Sequence, residues 1–131
     1  MKLPVSLLVS SGSALGGLSR FYADTFLLSI TSDNVYASLF LINVFGSFLI
    51  GFFLIRSQLA SDEDAKLDWY FWGVGFCGGF TTFASFVLLL VNGLMNSSAM
   101  DAGIYATFSI LGGLLALVTG LIIGQKLLLK S

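Results

Sequence analysis

The charges of this chain leave long gaps, and the gaps decide what it can fold into. Residues 3–19, 35–55, 69–100 and 102–125 contain no Asp, Glu, Lys or Arg. A bilayer core of about 30 Å takes ~20 helical residues, and inside it every backbone polar group must be paired within the segment. Each gap therefore reads as a membrane-spanning helix. The runs are continuously apolar rather than alternating, which argues against a transmembrane β-barrel. The first gap is short and is extended past Arg20. The third would reach ~48 Å as one helix at 1.5 Å per residue, and its end, Asn92-Gly93-Leu94-Met95-Asn96-Ser97-Ser98, has the composition of a turn. The expected fold is an all-α membrane protein, a single domain over 1–131 with four transmembrane helices at about 4–27, 35–55, 69–91 and 102–125. Six of the thirteen charged residues sit in the loop expected at 56–68, and no loop has room for a soluble domain. The first span reads as an uncleaved helix, because no convincing small-x-small cleavage site follows it.

Composition removes whole classes of function. Charged residues make up 10% of the chain and mean hydropathy is +0.96, whereas a soluble domain carries about 25% charge. The net charge of -1 offers no basic face for a nucleic acid. Histidine is absent, so neither a His-based triad nor a Cys/His zinc site can form, and no enzyme chemistry is expected. Cys77 has no partner for an intramolecular disulfide and reads as a small buried hydrophobe.

Four spans place both termini and the middle loop on one side. That side holds Lys2, Arg56, Lys66, Lys126 and Lys130, and the other holds no basic residue unless Arg20 is counted. By the positive-inside rule both termini are cytoplasmic.

Small and polar residues inside the spans carry the functional signal. Gly12/Gly16, Gly75/Gly79 and Gly120/Gly124 are four apart, the spacing that lets helix backbones approach closely. Arg20 lies on the Gly12/Gly16 face; it either snorkels to the interface or faces a wet vestibule. Asn43, mid-way along span two, shares its face with Ser47 and needs partners, whether a neighbouring helix or a pore. In Gly73-Val74-Gly75-Phe76-Cys77-Gly78-Gly79-Phe80-Thr81-Thr82-Phe83-Ala84-Ser85-Phe86, four glycines followed by two β-branched threonines make a poor continuous helix. A break there frees backbone groups that protein, water or an ion must satisfy. Phe80, Phe83 and Phe86 follow at i, i+3 and i+6, an expected aromatic stripe. No Asp or Glu lies within the four charge-free runs, so proton coupling has no evident carrier there. What remains is a passive path of hydroxyl and amide donors and positive Phe ring edges, which suits a small anion.

Three motifs resemble the Fluc/CrcB family of fluoride channels: Gly12-x-x-x-Gly16-x-x-x-Arg20-Phe21-Tyr22, Asn43-x-x-Gly46-Ser47-Phe48-x-x-Gly51, and the run from Gly75 to Phe86. Their order and spacing extend the resemblance over nearly the whole chain. It implies a passive, fluoride-selective channel in the cell inner (plasma) membrane that exports cytoplasmic fluoride and gives fluoride resistance. It implies an antiparallel, dual-topology dimer with the third helix broken near its middle. The implied fluoride pathway uses Asn43, Phe83, Phe86 and Ser85, with Arg20 near the vestibule. It also implies a structural sodium ion at the dimer interface, held by the backbone carbonyls of Gly78 and Thr81.

The chain departs from the family pattern in two ways. Ala84 stands where the family has a serine, and span four presents Leu117 at the aligned position, with Thr119 two residues on. The one-sided charge is also unlike a protein that inserts both ways. It fits one half of a heterodimer with an oppositely oriented paralogue, termini cytoplasmic. The competing readings are a small four-helix multidrug-type transporter, which would rely on a membrane-embedded Glu, and a non-transporting membrane scaffold subunit, which would need no broken, hydroxylated helix.

Overall fold

The computed structural model describes residues 4–59, 63–96 and 98–129, and every regular element among them is helical. In chain order these are α1 (Val5–Ile30), α2 (Val35–Leu59), α3 (Glu63–Asp68), a π-helical segment (Trp69–Phe76), α4 (Cys77–Phe80), α5 (Phe83–Asn96) and α6 (Ala99–Leu128). The ends are set by local chemistry. After α1 the chain reverses through Ser32 and Asp33, with φ of 53° and 60°, and Asn34 Oδ1 accepts the Ala37 N–H to start α2. Ser98 caps α6 by accepting the Asp101 N–H at 3.1 Å, with the Asp101 carboxylate in the favourable first turn.

Two helix pairings carry the fold, and both depend on glycine. α1 packs on the π segment and α4, while α2 packs on α6. A Cβ at Gly12, Gly16 or Gly79 would overlap the carbonyl oxygen of Phe71, Phe76 or Ser13 respectively. A Cβ at Gly51 or Gly120 would overlap that of Leu117 or Phe48. The backbones touch directly, as small-xxx-small spacing predicts. Ser13 Oγ donates to the Gly75 carbonyl at 3.2 Å, pairing one acceptor of the widened π turns. Gly73 sits beneath the Trp69 indole, where any side chain would collide with the ring.

Val35–Leu59, Glu63–Asn96 and Ala99–Leu128 are each long and apolar enough to cross a membrane, and their outward faces carry large exposed apolar side chains such as Leu88, Leu115 and Ile122. A multi-pass membrane protein follows. α1 has the length but not the same apolarity, because Ser6, Ser10, Ser11, Ser13, Ser19, Arg20 and Asp24 dilute it.

Several boundaries depart from expectation. α1 runs on to Ile30, past the end expected near residue 27, and Asp24 lies inside it. The loop expected at 56–68 is mostly helix: α2 continues through Arg56 to Leu59, and α3 begins at Glu63. Arg56 Nη2 pairs with Asp68 Oδ2 at 2.7 Å, joining the ends of the two runs. The turn expected after Val91 does not begin there, because α5 continues to Asn96. Gly93 is buried against Ala102 and the Tyr36 hydroxyl, and this close approach of α6 favours helix over turn. Lys2 and Lys130, two of the residues behind the orientation argument, lie outside the described residues.

Candidate functional site

The helical run that starts at Glu63 is interrupted at Thr81–Thr82. α4 ends at Phe80, Thr81 is extended (φ −83°, ψ 163°), and α5 starts at Phe83. Threonine side chains and one amide hold the gap open. Thr81 donates both its N–H (3.0 Å) and its Oγ1 (2.8 Å) to the Cys77 carbonyl. Asn43 on α2 clamps Thr82 in both directions: its Oδ1 accepts the Thr82 N–H at 3.0 Å, and its Nδ2 donates to the Thr82 carbonyl at 3.3 Å. Thr82 Oγ1 accepts the Ser85 N–H at 3.2 Å, capping α5, and donates to Ser85 Oγ at 3.2 Å.

These bonds divert two helical donors. The Thr82 N–H goes to Asn43 and not to the Gly78 carbonyl; the Ser85 N–H goes to the Thr82 hydroxyl and not to the Thr81 carbonyl. Among the described residues, neither freed carbonyl receives a backbone N–H. In a water-poor setting an unpaired carbonyl costs about 1–3 kcal/mol, so such a pair is a ready acceptor set for a cation. Gly78 faces open space, with nothing within 4 Å of a Cβ placed on it. No cluster of three or more His, Cys, Asp or Glu occurs among the described residues, so carbonyls are the donors on offer.

Two cavities flank the break. An open cleft of about 570 Å³ is lined by Asn43, Ser47, Thr82, Phe83, Phe86 and Ser109. A second pocket of about 350 Å³ is lined by Arg20, Asp24, Thr82 and Ser85 with apolar walls such as Leu39 and Ile42. The residues singled out from sequence are thus divided. Asn43, Phe83 and Phe86 meet in the cleft, with Gly78 and Thr81 also on its wall. Arg20 and Ser85 meet in the pocket, and Thr82 belongs to both. The expected stripe of three phenylalanines does not form. Phe83 and Phe86 stay together, ring centroids 6.0 Å apart, and Phe83 is 77% exposed. Phe80 lies across the break, 6% exposed and stacked on Phe76 at 5.6 Å. A continuous helix was assumed in that spacing, and the extended Thr81 cancels it. Cys77, 1% exposed, is a buried small side chain behind the break.

Three polar residues at the site were missed from sequence. Ser109 on α6 reaches the cleft, and its Oγ is buried beside the buried Tyr105 hydroxyl one turn earlier. Tyr105 also lies against Phe86, centroids 5.6 Å apart. Thr119, two residues past the aligned position in span four, is exposed and bonds its own helix at the Leu115 carbonyl (2.7 Å). The others are Asp24 and Ser38: Ser38 Oγ donates to Asp24 Oδ1 at 2.5 Å, tying α2 to α1 at the pocket. Only the register of α6 distinguishes Ser109 from other hydroxyls, and register is a tertiary property.

Comparison with known proteins agrees with this layout. The family model described as CrcB-like protein, Camphor Resistance (CrcB), matches residues 7–121. A protein of Azotobacter vinelandii named fluoride-specific ion channel FluC is 38% identical over 123 residues, covering 91% of this chain and 95% of that protein. Proteins of the same name from Methylocella silvestris (39% over 118 residues, 87% of this chain and 88% of that one) and Chlorobium chlorochromatii (35% over 116 residues, 88% of each) match similarly. With its break, its clamp and its glycine pairings inside the matched segment, the chain belongs to the CrcB-like family.

Proposed function

We infer that this chain is a passive, fluoride-selective ion channel, not an enzyme, and that it lets cytoplasmic fluoride leave through the cell membrane. The carrying observation is the similarity to fluoride-specific channels over nearly the whole chain. The break supports it, since it presents an amide, hydroxyls and two phenyl rings without a fixed positive charge in the cleft. Such donors hold a small anion weakly enough to release it. Fluoride's route runs past Asn43, Phe83, Phe86 and Ser85, with Arg20 at the vestibule.

In this reading the chain is one domain, α1 is a fourth span, and the run from Glu63 is the broken third. The channel is an antiparallel dimer, either of this chain or with an oppositely oriented paralogue, and in the fixed case the termini are cytoplasmic. The exposure of Phe83 and the empty space beside Gly78 support a second chain closing the cleft. The freed carbonyls of Gly78 and Thr81 fit a structural sodium ion. Bound there, it would supply the positive charge that pairs the two carbonyl oxygens and offsets the negative C-terminal end of α4.

The test is fluoride efflux from liposomes containing the purified protein, with chloride as control. Fluoride release without chloride release is expected. Absence of fluoride flux from the chain alone, and from the chain with its paralogue, would overturn the reading.

A further inference from the structure

An anion channel has reason to keep carboxylates away from its path, yet Asp24 lines the same 350 Å³ pocket as Arg20, Thr82 and Ser85. Its placement is built rather than incidental. Arg20 and Asp24 are one turn apart on α1, so both project toward the same face. Asp24 Oδ1 accepts the hydroxyl proton of Ser38 at 2.5 Å, and Ser38 is 0% exposed on α2. A buried hydroxyl with its donor committed to a carboxylate fixes that carboxylate in one position through a charge-assisted bond. Among the described residues no direct ion pair joins Arg20 to Asp24; the acid is held by the second helix, not by the arginine.

We propose that Asp24, positioned by Ser38, is a charge-tuning residue of the Arg20 pocket, where it offsets the arginine's field so that the anion is drawn in without being trapped. The inference rests on the fluoride-channel reading. Around the pocket the charges are Arg20 and Asp24, both from α1; the lining of α2 (Val35, Leu39, Ile42) and the break and α5 (Thr82, Ser85, Leu88, Leu89) adds none. Net charge at this mouth is therefore near zero, and removing the acid leaves one uncompensated cation. Conduction needs a balance of entry and exit, and an anion a few ångströms from an unscreened cation feels a large change in potential.

The experiment measures initial fluoride efflux at sub-saturating fluoride for the wild type, Asp24→Asn and Asp24→Glu. Asparagine keeps the size of the side chain and can still accept from Ser38. At low ionic strength Asp24→Asn is expected to raise the rate about threefold, while Asp24→Glu stays near wild type. Adding the salt of a large impermeant organic anion shortens the Debye length to a few ångströms at ~1 M and is expected to erase most of the difference; a purely structural role would survive the salt. Asp24→Ser is a second neutral variant with the same expected rise, should asparagine fail to give monodisperse protein. An unchanged or slower rate in the neutral variants, or a difference indifferent to salt, overturns the proposal while the channel reading stands. A wild type that passes no fluoride removes both.

Discussion

The two sides of the break are built on opposite principles. Before it, the π segment and α4 lie backbone to backbone on α1, with Gly75, Cys77 and Phe80 buried. After it, α5 starts with Phe83 at 77% exposure and buries little besides Gly93. One side is fixed within the chain, and the other is presented outward. A path for an ion needs both: a rigid wall to hold geometry, and a surface left unfinished for the ion or a second chain. The same residue type reads differently on the two sides: Phe80 before the break is 6% exposed, and Phe83 after it is 77% exposed.

Substitutions can separate these principles. The largest effect is expected from Gly79→Val, because its Cβ would overlap the Ser13 carbonyl of α1. Overpacking against backbone costs about 1–3 kcal/mol or more, and loss of a monodisperse peak on size exclusion in detergent is the readout; a normal peak would show that the fixed side yields. Asn43→Ala comes next. It removes both bonds to Thr82 and leaves a backbone N–H and a C=O unpaired at about 1–3 kcal/mol each. Fluoride flux is expected to fall at least tenfold with reduced thermal stability, and normal flux would remove the clamp from the mechanism. Phe83→Ile and Phe86→Ile should each lower flux several-fold while melting temperature remains near wild type, since Phe83 is exposed and Phe86 only half-buried. Unchanged flux in both would take the rings off the path. Gly78→Ala is the smallest change for the chain itself, where its methyl meets nothing. A loss of flux in that variant would place the requirement for glycine outside this chain, in the proposed second chain.

How much of this was legible beforehand follows from the range of the interactions. Helical class, glycine spacing and the weak point at the threonines are local or periodic, and they stand in the sequence directly. Charge gaps misplaced the ends of the helices because Arg56, Lys66 and Asp68 are compatible with helix once paired or near an interface. They also hid Asp24, whose acceptability depends on Ser38, fourteen positions away on another helix. The stripe of Phe80, Phe83 and Phe86 failed because counting by threes presumes the helix that Thr81 interrupts. Asn43 was legible as a polar residue in need of partners, but its two-way grip on Thr82 is a matter of three-dimensional register. Ser109 was illegible for the same reason, and Thr119 attracted attention only by its proximity to an aligned position.

Thr82 is the shared wall of two cavities, and that has an electrical consequence. Were the cleft and the pocket to open to opposite faces of the membrane, water in them would carry the conductivity of the bath toward the wall from both sides, and most of the membrane voltage would fall across the short polar gap that Thr82 spans. A monovalent anion crossing a full 100 mV drop gains about 2.3 kcal/mol, and here that gain would be concentrated in one short step beside Asn43 and Ser85. With the cell interior negative, the voltage itself would drive the anion outward, and this chain would need no fuel beyond the resting potential.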